Sequence, residues 1–233
     1  MLFYQAVPED LLKILKLLMN EEKLSDFALV GGTALAFQIG HRISVDIDLF
    51  TDRHFESREV LDTLRKTMKV ELNMSRPNGM QLIIENLKVD LYNWAVPFIG
   101  EHYISDGLRL ASLKDIAAFK LDAITTRKTK KDYYDLYFLL DRFSLGEMIS
   151  AYKKKYPYNS SKNVIVALSS PTTADNDEQP ELLKPASWVE VKARLINEVA
   201  QYEKNIIVKK GRQLKEREKN IKELFHKKRD KRV

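Results

Sequence analysis

Two short motifs near the N-terminus constrain the fold more than any other feature of the chain. The first, LVGGTAL at residues 29–35, places Gly31 and Gly32 at the end of an apolar segment that is typical of a buried strand. The second, SVDIDLF at residues 44–50, carries Asp46 and Asp48 on a second predicted strand. Because side chains alternate along a strand, the two carboxylates project from the same face. The motifs therefore predict a glycine turn beside a pair of acids.

A glycine turn beside two acids suits a nucleoside triphosphate that carries a divalent metal. Glycines let backbone N–H groups approach a phosphate, and the following helix adds the positive end of its dipole. Thr33 adds a hydroxyl to the turn. Mg²⁺ binds few protein carboxylates and shares substrate phosphates with them. Taken alone, Gly-Gly is most often a tight turn and Asp-x-Asp a solvated pair, so the interpretation depends on their joint spacing.

This spacing resembles the signature of the nucleotidyltransferase superfamily, to which DNA polymerase beta and the aminoglycoside nucleotidyltransferases belong. The resemblance implies an α+β fold: a DNA polymerase beta-like core with a mixed sheet flanked by helices, followed by a helical C-terminal half. It also implies a third carboxylate on a neighbouring strand. Asp90 in LKVDLYN is the best candidate, because it is the one acid in an apolar strand. Glu85 is the alternative, although it lies beside a predicted turn.

Periodicity and turn residues predict the order of the elements. A helix begins after Pro8, because proline fits the first turn of a helix. Further helices are predicted at 33–39, 57–69, 112–127, 131–142, 144–155 and 187–204, and strands at 27–30, 45–50, 70–75, 80–85 and 87–93. Ser57 is expected to cap its helix. The polar stretch at 169–186 predicts a loop that is either mobile or wrapped over the core. We divide the chain into an α/β core at 1–108, a helical domain completing the cleft at 109–206, and a basic exposed tail at 207–233.

A second group of candidate residues lies in FKLDAITTRKTKKDYYDLYFLL at 119–140. Lys120 and Arg127 fall along an apolar helical stripe, so Lys120 either extends along the surface to solvent or reaches into a cleft. We expect it to bind phosphate. Asp132 and Asp135 share the inner face of the next helix. Each either contributes to the site or is structural, Asp132 as a helix cap and Asp135 as the partner of a cation.

The order GGTAL, GHRISVDIDLF and K-x6-R-x3-KD-x2-DL resembles the AbiEii/AbiGii-type toxin family of bacterial nucleotidyltransferases, which includes the MenT-type toxins. The resemblance covers about residues 10–205. It implies metal binding by Asp46, Asp48 and Asp90, and nucleotide binding by Gly31, Gly32, Thr33, Lys120, Asp132 and Asp135. Arg42 and Ser44 match positions near the triphosphate, although Arg42 could equally form a surface ion pair. The motif is Gly-Gly-Thr where many members have Gly-Ser, so the role of the shifted hydroxyl stays open.

The resemblance implies a Mg²⁺- or Mn²⁺-dependent enzyme that moves a nucleoside monophosphate from an NTP to an acceptor hydroxyl. Family members are toxins of toxin–antitoxin or phage-exclusion pairs, and some modify the acceptor end of tRNA. A cognate antitoxin and a tRNA substrate are therefore expected partners. One alternative is the same chemistry on a small molecule or a protein. Another is a non-catalytic protein that binds a nucleotide.

Charge and composition narrow the remaining classes. The net charge is +6, but residues 209–233 alone carry twelve Lys or Arg against four Asp or Glu. This basic tail is either an exposed helix or a disordered arm, and it either binds RNA phosphates or is simply solvated. The chain has no cysteine, secretory signal or long apolar run, so we expect a cytoplasmic protein without a membrane partner. Trp94, Trp188 and the tyrosines of 133–137 are expected to pack, and His41 could touch the nucleotide by proximity.

Overall fold

The computed structural model describes residues 1–94 and 96–230, and in the last helix it describes side chains as far as Arg217, apart from Lys215. The helices in this part of the chain are α1 (Glu9–Asn20), α2 (Gly31–Ile39), α3 (Ser57–Leu64), α4 (Leu113–Thr126), α5 (Lys130–Leu139), α6 (Leu145–Lys155), α7 (Ser161–Ser169) and α8 (Trp188–Asp230). The strands are β1 (Ala28–Leu29), β2 (Ile47–Thr51), β3 (Val70–Arg76), β4 (Gly79–Ile84), β5 (Leu87–Asn93), β6 (Tyr103–Ser105) and β7 (Leu108–Leu110).

The strands form one mixed sheet in the order β3-β4-β5-β2-β1-β7-β6. β2 runs parallel to β5, and β1 runs parallel to β7, whereas the other neighbouring strands are antiparallel. Ile47 and Leu49 of β2 are fully buried, as are Val89 and Leu91 of β5. Because side chains alternate along a strand, the residues between these apolar ones face the other side of the sheet. The apolar alternation therefore fixes the face on which polar side chains emerge.

Helix α2 follows β1 directly and is enclosed by the sheet and by α4 and α5. Its first residue, Gly31, has a φ of +69°, a left-handed conformation that glycine adopts without steric cost. Its end at Gly40 has a φ of +60°, and the Gly40 N–H donates to the Ala36 carbonyl oxygen, a usual way of ending a helix. Leu35 and Phe37 are fully buried. The packing of α2 thus holds its N-terminus rigidly beside β2.

The helical half packs around α4, which contacts α5, α6 and α7, and α8 covers α5, α6 and α7. Val191, Leu195 and Val199 supply the buried face of α8. The segment between α7 and α8 lies along residues 41–43, where the Ile43 N–H donates to the Glu181 carbonyl oxygen at 2.8 Å. The polar stretch at 169–186 is therefore wrapped over the core, which was one of its two predicted states.

The predicted fold class, a mixed sheet flanked by helices and followed by a helical half, is confirmed. The three strands predicted at 70–93 are present as β3, β4 and β5. β6, β7 and α7 lie outside the predicted set, because three-residue strands show no readable alternation and α7 joins a polar stretch. The prediction that Ser57 caps α3 is wrong, since Ser57 is the first helical residue and Glu56 occupies the cap position.

The basic tail continues α8 as a helix as far as Asp230, so of its two predicted states the helix is the one observed. Lys231 and Arg232, which belong to the predicted tail, lie outside the described residues. Across the part of the chain that the structure covers, no helix combines the length and the apolar character needed to cross a membrane. β7 ends at Leu110, and the division of the chain at 108 stays a prediction.

Candidate active site

Three carboxylates meet on the polar face of the sheet. Asp48 of β2 and Asp90 of β5 are directly paired in the parallel register of these two strands. Asp46 lies two residues before Asp48 and just ahead of the first residue of β2. We call these three residues the open acid set. Because β2 and β5 pair side by side, residues that are far apart in the chain bring their carboxylates to one place.

The two glycines of the first motif make room for side chains of the site. A Cβ atom on Gly31 would lie 2.6 Å from Oδ2 of Asp48, and one on Gly32 would collide with the guanidinium of Arg42. A side chain at either position would therefore displace a charged group. The same absence of side chains leaves the N-terminus of α2 facing Asp48, so backbone N–H groups and the open acid set border the same space.

Thr33 joins α2 to the second motif. Its hydroxyl is fully buried, donates to the backbone carbonyl oxygen of Asp46, and lies 2.9 Å from the hydroxyl of Ser44. Since one hydroxyl has one proton, Ser44 supplies the second hydrogen bond as donor. Both hydroxyls therefore hold the backbone that carries Asp46. This gives the shifted hydroxyl of the Gly-Gly-Thr motif a positioning contact.

Asp48 is unusual in its electrostatic surroundings. Burial, together with the charges of Asp46 and Asp90, raises the pKa of its carboxyl to about 6, although Lys120 and Lys88 oppose the shift. Among the described residues, Asp48 has no salt-bridge partner. A carboxylate repelled by two others is stabilised by an added cation.

Asp90 has partners on the sheet that fix its orientation. Nε2 of Gln81 donates to its Oδ1 at 2.8 Å, and Nζ of Lys88 lies 3.0 Å from its Oδ2. The side chain of Asn73 in turn donates to Oε1 of Gln81. A hydrogen-bonded row therefore runs across β3, β4 and β5 and ends on the third acid.

Asp46 pairs with a lysine that sequence reasoning missed. Oδ2 of Asp46 lies 3.5 Å from Nζ of Lys131, whose side chain is 44% exposed. Lys131 is the second residue of α5, and it borders a cavity of about 470 Å³ together with Ser44 and Asp46. An exposed ammonium on such a cavity can turn to an incoming phosphate. The signal that could have identified Lys131 is its place directly before Asp132 in the K-x6-R-x3-KD-x2-DL pattern.

Asp132 lies in a different environment, fully buried among cations. Its carboxylate accepts from Lys120 at 2.9 Å, from the Arg127 guanidinium at 2.7 and 2.8 Å, and from the Thr129 hydroxyl at 2.6 Å. Burial opposes ionisation, but Lys120 and Arg127 outweigh it and hold the pKa of Asp132 well below its usual range. Asp132 does not cap α5, because the cap residue is Thr129.

Asp135 completes the same buried cluster. It accepts from Nε and Nη2 of Arg42 at 2.7 and 3.0 Å, pairs with Lys120, and lies 2.7 Å from Nε2 of His41. Burial works against the charged form, but Arg42 and Lys120 lower the pKa of Asp135 strongly. We call Lys120, Arg42, Arg127, Asp132 and Asp135 the closed ion cluster. Arg42 is thus a buried partner of Asp135 and forms no surface ion pair.

His41 belongs to the support of this cluster. Its ring is fully buried, and burial lowers its pKa more than the nearby Asp135 raises it. The neutral ring therefore donates from Nε2 to Asp135. Its Nδ1 has no hydrogen-bond partner among the described residues. In this position His41 supports Asp135 and Arg42.

The donor chemistry of the open acid set fits a hard divalent cation. The set supplies carboxylate oxygens only, and burial together with the charges of Asp46 and Asp90 raises the pKa of Asp48. Within the described residues, no group of three or more His, Asp or Glu side chains is arranged to hold a metal ion by itself. A site with few protein ligands that is completed by substrate phosphates matches the usual binding of Mg²⁺.

The combination of motifs and geometry agrees with a comparison against known families. The family model of the nucleotidyl transferase AbiEii toxin, of type IV toxin–antitoxin systems, matches residues 13–205. The chain belongs to this family. As an AbiEii-family member, the protein is a nucleotidyltransferase.

Individual relatives are similar in sequence or in fold. An uncharacterized protein of Aquifex aeolicus (strain VF5) is 31% identical over 187 residues, which cover 78% of this chain and 90% of that one. A putative nucleotidyltransferase from Helicobacter pylori has a similar fold, with a TM-score of 0.54, 18% identity and coverage of 85% and 96%. MenT4, a nucleotidyltransferase toxin from Mycobacterium tuberculosis H37Rv, has a TM-score of 0.50, 16% identity and coverage of 75% and 74%.

The residues that the sequence singled out for the AbiEii site lie in two adjoining groups or directly beside them. Asp46, Asp48 and Asp90 are the open acid set, and Arg42, Lys120, Asp132 and Asp135 belong to the closed ion cluster. The residues beside these groups are Gly31, Gly32, Thr33 and Ser44. Glu85, the alternative third acid, sits at the β4–β5 turn with a φ of +48°. Gln81 was missed, although the tight turn at 85–86 already pairs residue 81 with residue 90.

Proposed function

We propose that this AbiEii-family protein transfers a nucleoside monophosphate from an NTP to an acceptor hydroxyl with the aid of a divalent metal, Mg²⁺ or Mn²⁺. One observation carries the proposal: three carboxylates lie together beside the N-terminus of α2, and the central one, Asp48, has no ion-pair partner among the described residues and a pKa raised to about 6. This arrangement favours a bound cation and a bound phosphate in the same place.

The reaction is an in-line displacement at the α-phosphate. The acceptor hydroxyl gives its proton to solvent and its oxygen forms the new bond to the α-phosphorus. The bond from that phosphorus to the oxygen that bridges the α- and β-phosphates breaks, and pyrophosphate leaves. Asp46 and Asp48 would hold two divalent metal ions, and Asp90 would orient the ion next to the acceptor. The metals would lower the pKa of the acceptor hydroxyl and offset charge on the phosphates. Gly31 and Gly32 give the phosphates access to backbone N–H groups at the start of α2.

The chain's own cations divide the remaining work. Lys131 is exposed and weakly paired with Asp46, so we assign it to contact with the β- and γ-phosphates. Lys120 is 3% exposed and lies between Asp132 and Asp135. We therefore assign Lys120 a positioning role at the floor of the cleft, where its charge acts on Asp48 over a distance. Arg42 and Ser44 hold the segment that carries Asp46.

The acceptor that we favour is an RNA, with the acceptor end of tRNA as the specific expectation. Support comes from the family and from the positive charge of the tail, where Lys209, Lys210 and Arg212 are exposed on α8. Such contacts are sequence-independent and weaken with salt. Because the family consists of toxins of toxin–antitoxin systems, we also propose that a cognate antitoxin regulates the protein.

The direct test incubates the purified protein with each α-labelled NTP, Mg²⁺ and total cellular RNA. We expect label on a tRNA-sized band with one or a few of the NTPs, and no label with Asp48→Asn. An Asp62→Asn variant is the matched control, since Asp62 is an exposed acid on α3. Label on protein or on a small molecule would identify that molecule as the acceptor in place of RNA. Nucleotide binding without pyrophosphate release would support the non-catalytic alternative and contradict the proposal.

Toxicity provides a separate test. Expression of the wild-type chain should arrest growth, whereas expression of Asp48→Asn at the same level should not. Co-expression of the neighbouring open reading frame should restore growth if that frame encodes the antitoxin. Equal growth of cells that express the wild type and the variant would argue against a toxin. It would not bear on nucleotidyl transfer, which the labelling assay tests.

A further inference from the structure

A cavity of about 220 Å³ beside Asp48 has an aromatic wall that the proposed chemistry does not use. Its polar side includes Gly31, Asp48, Lys120 and Arg127 of the site, together with Asp122 and Thr126. Its other side consists of four aromatic residues from four separate segments: Phe50, Trp94, Phe119 and Tyr156. We call it the aromatic pocket. It joins an apolar wall directly to the open acid set.

The aromatic rings form a preorganised surface. Phe50 and Trp94 are parallel within 7°, with ring centroids 5.8 Å apart. Phe119 stands edge-on to both, at 5.5 and 6.2 Å. All three remain partly exposed. The rings pack against the hydrophobic core and still present part of their surface to the cleft, so they offer an apolar surface on which a flat ligand can stack.

The spacing along β2 matches the layout of a nucleotide. Asp48 and Phe50 lie on the same strand face, and two residues of a strand span about 7 Å. In a nucleotide the sugar separates the base from the α-phosphate. We propose that the aromatic pocket holds the base of the NTP, stacked on the ring surface formed by Phe50, Trp94 and Phe119. This inference rests on the proposed function, because it assumes that the phosphates lie at the open acid set.

The position of the pocket favours the donor NTP over the acceptor. The pocket borders Gly31 and Arg127 on the α2 and α4 side of Asp48. Asp90 and its partners Gln81 and Lys88 do not line it, and they lie on the opposite side, toward β4. The sheet surface next to Asp90 stays free for the acceptor. In this arrangement the base of the NTP and the acceptor bind on different sides of Asp48.

The chain offers a direct optical test, because it has only two tryptophans. Trp188 packs between Tyr133 and Tyr134, away from the aromatic pocket. A Trp188→Phe variant leaves Trp94 as the sole indole reporter. We would titrate this full-length variant, in Mg²⁺, with NTP analogues that cannot be cleaved between the α- and β-phosphates. Inorganic tripolyphosphate, which lacks base and sugar, is the matched control ligand.

We expect the NTP analogues to quench or shift the fluorescence of Trp94 and tripolyphosphate to leave it unchanged. NTP binding by calorimetry without any change at Trp94 would overturn the pocket assignment and leave the proposed function intact. A response to a short RNA strand but not to NTPs would assign the pocket to the acceptor and overturn the inference. Absence of binding by any NTP would overturn both the inference and the proposed function.

Substitution supplies the second readout. Trp94→Leu keeps an apolar side chain but removes the stacking surface, and we expect it to weaken NTP affinity about tenfold or more. Trp94→Phe should recover most of that loss. Both variants should bind tripolyphosphate as the wild type does, which shows that they are folded. Equal NTP affinity in Trp94→Leu and wild type would contradict stacking on this residue.

Discussion

The open acid set and the closed ion cluster contain the same kind of residue in opposite surroundings. Asp132 and Asp135 are fully buried, yet cations lower the pKa of both. Asp48 sits beside two other acids, and its pKa is raised to about 6. The cluster is internally neutralised, because each of its carboxylates meets at least two cations. The set is not, because its three carboxylates have only two ion pairs among the described residues, and neither of them reaches Asp48.

This difference separates two tasks that sequence motifs alone do not distinguish. A neutralised cluster fixes the positions of α4, α5 and the segment around Arg42. An unneutralised set is poised for a charge that comes from outside the chain. The comparison predicts that damage to the set removes chemistry while the fold stays, and that damage to the cluster removes stability first.

The largest expected effect is on catalysis through Asp48. Asp48→Asn should lower the rate of nucleotidyl transfer by more than about 100-fold. Loss of a residue that only hydrogen-bonds to a metal ligand already costs roughly 10- to 100-fold. The reason is that the amide gives up the charge on which metal binding depends. Initial rates at saturating NTP measure it, and circular dichroism checks the fold. Transfer within twofold of wild type would refute the role of the open acid set.

The next largest effect is on stability through Asp135. Asp135→Ala leaves Arg42 and Lys120 buried without their carboxylate, and breaking such a buried pair costs about 3–5 kcal/mol. Urea denaturation measures the free energy of unfolding. Lys131→Ala is the control, because it breaks a partly exposed pair that should contribute less than about 1 kcal/mol. Similar urea midpoints for Asp135→Ala and Lys131→Ala would contradict the claim that the closed ion cluster stabilises the fold more than the open acid set does.

A pH dependence should follow from Asp48. Its pKa in the folded protein, about 6, lies above the ordinary value of 3.8, so folding opposes its ionisation. The contribution of Asp48 to the free energy of unfolding should therefore fall as pH rises from about 4 to 7, by about 3 kcal/mol. Asp48→Asn lacks this loss and should be more stable than wild type at pH 7 but not at pH 4. Denaturation curves at both pH values test the sign.

The smallest effect concerns the orientation of Asp90. Gln81→Leu removes the hydrogen bond to Oδ1 of Asp90 and should lower activity about tenfold, with a higher Mg²⁺ requirement. Its stability should change little, because Gln81 is partly exposed. Asn73→Ala, one step farther along the same row, should have a weaker effect. Unchanged activity and an unchanged Mg²⁺ requirement in Gln81→Leu would show that the row does not act through Asp90.

The motif residues could be predicted from the sequence because they lie close together within short segments of the chain. Asp46 and Asp48 are two residues apart at the start of β2, and Gly31 begins α2, so the local backbone explains both placements. Asp90 could be selected as the lone acid of an apolar strand. In each case a short segment contained the information.

The remaining contacts depend on tertiary packing. No local pattern shows that Gly32 is needed beside Arg42, or that Lys120 lies between two acids of the next helix. The parallel pairing of β2 with β5 likewise joins segments about forty residues apart. Trp94 was expected to pack, and only the cavity beside Asp48 shows its partly exposed position. These features require the relative placement of elements, which periodicity does not encode.

The most direct test of the account is calorimetric titration of Mn²⁺ and a non-cleavable NTP analogue into the protein at pH 7.5. We expect the wild type and the control variant Asp62→Asn to bind metal and nucleotide together, each raising the affinity for the other. Asp48→Asn should lose this coupling while remaining folded. Unchanged coupled binding in Asp48→Asn would contradict the claim that the unneutralised carboxylates take an external cation with the nucleotide.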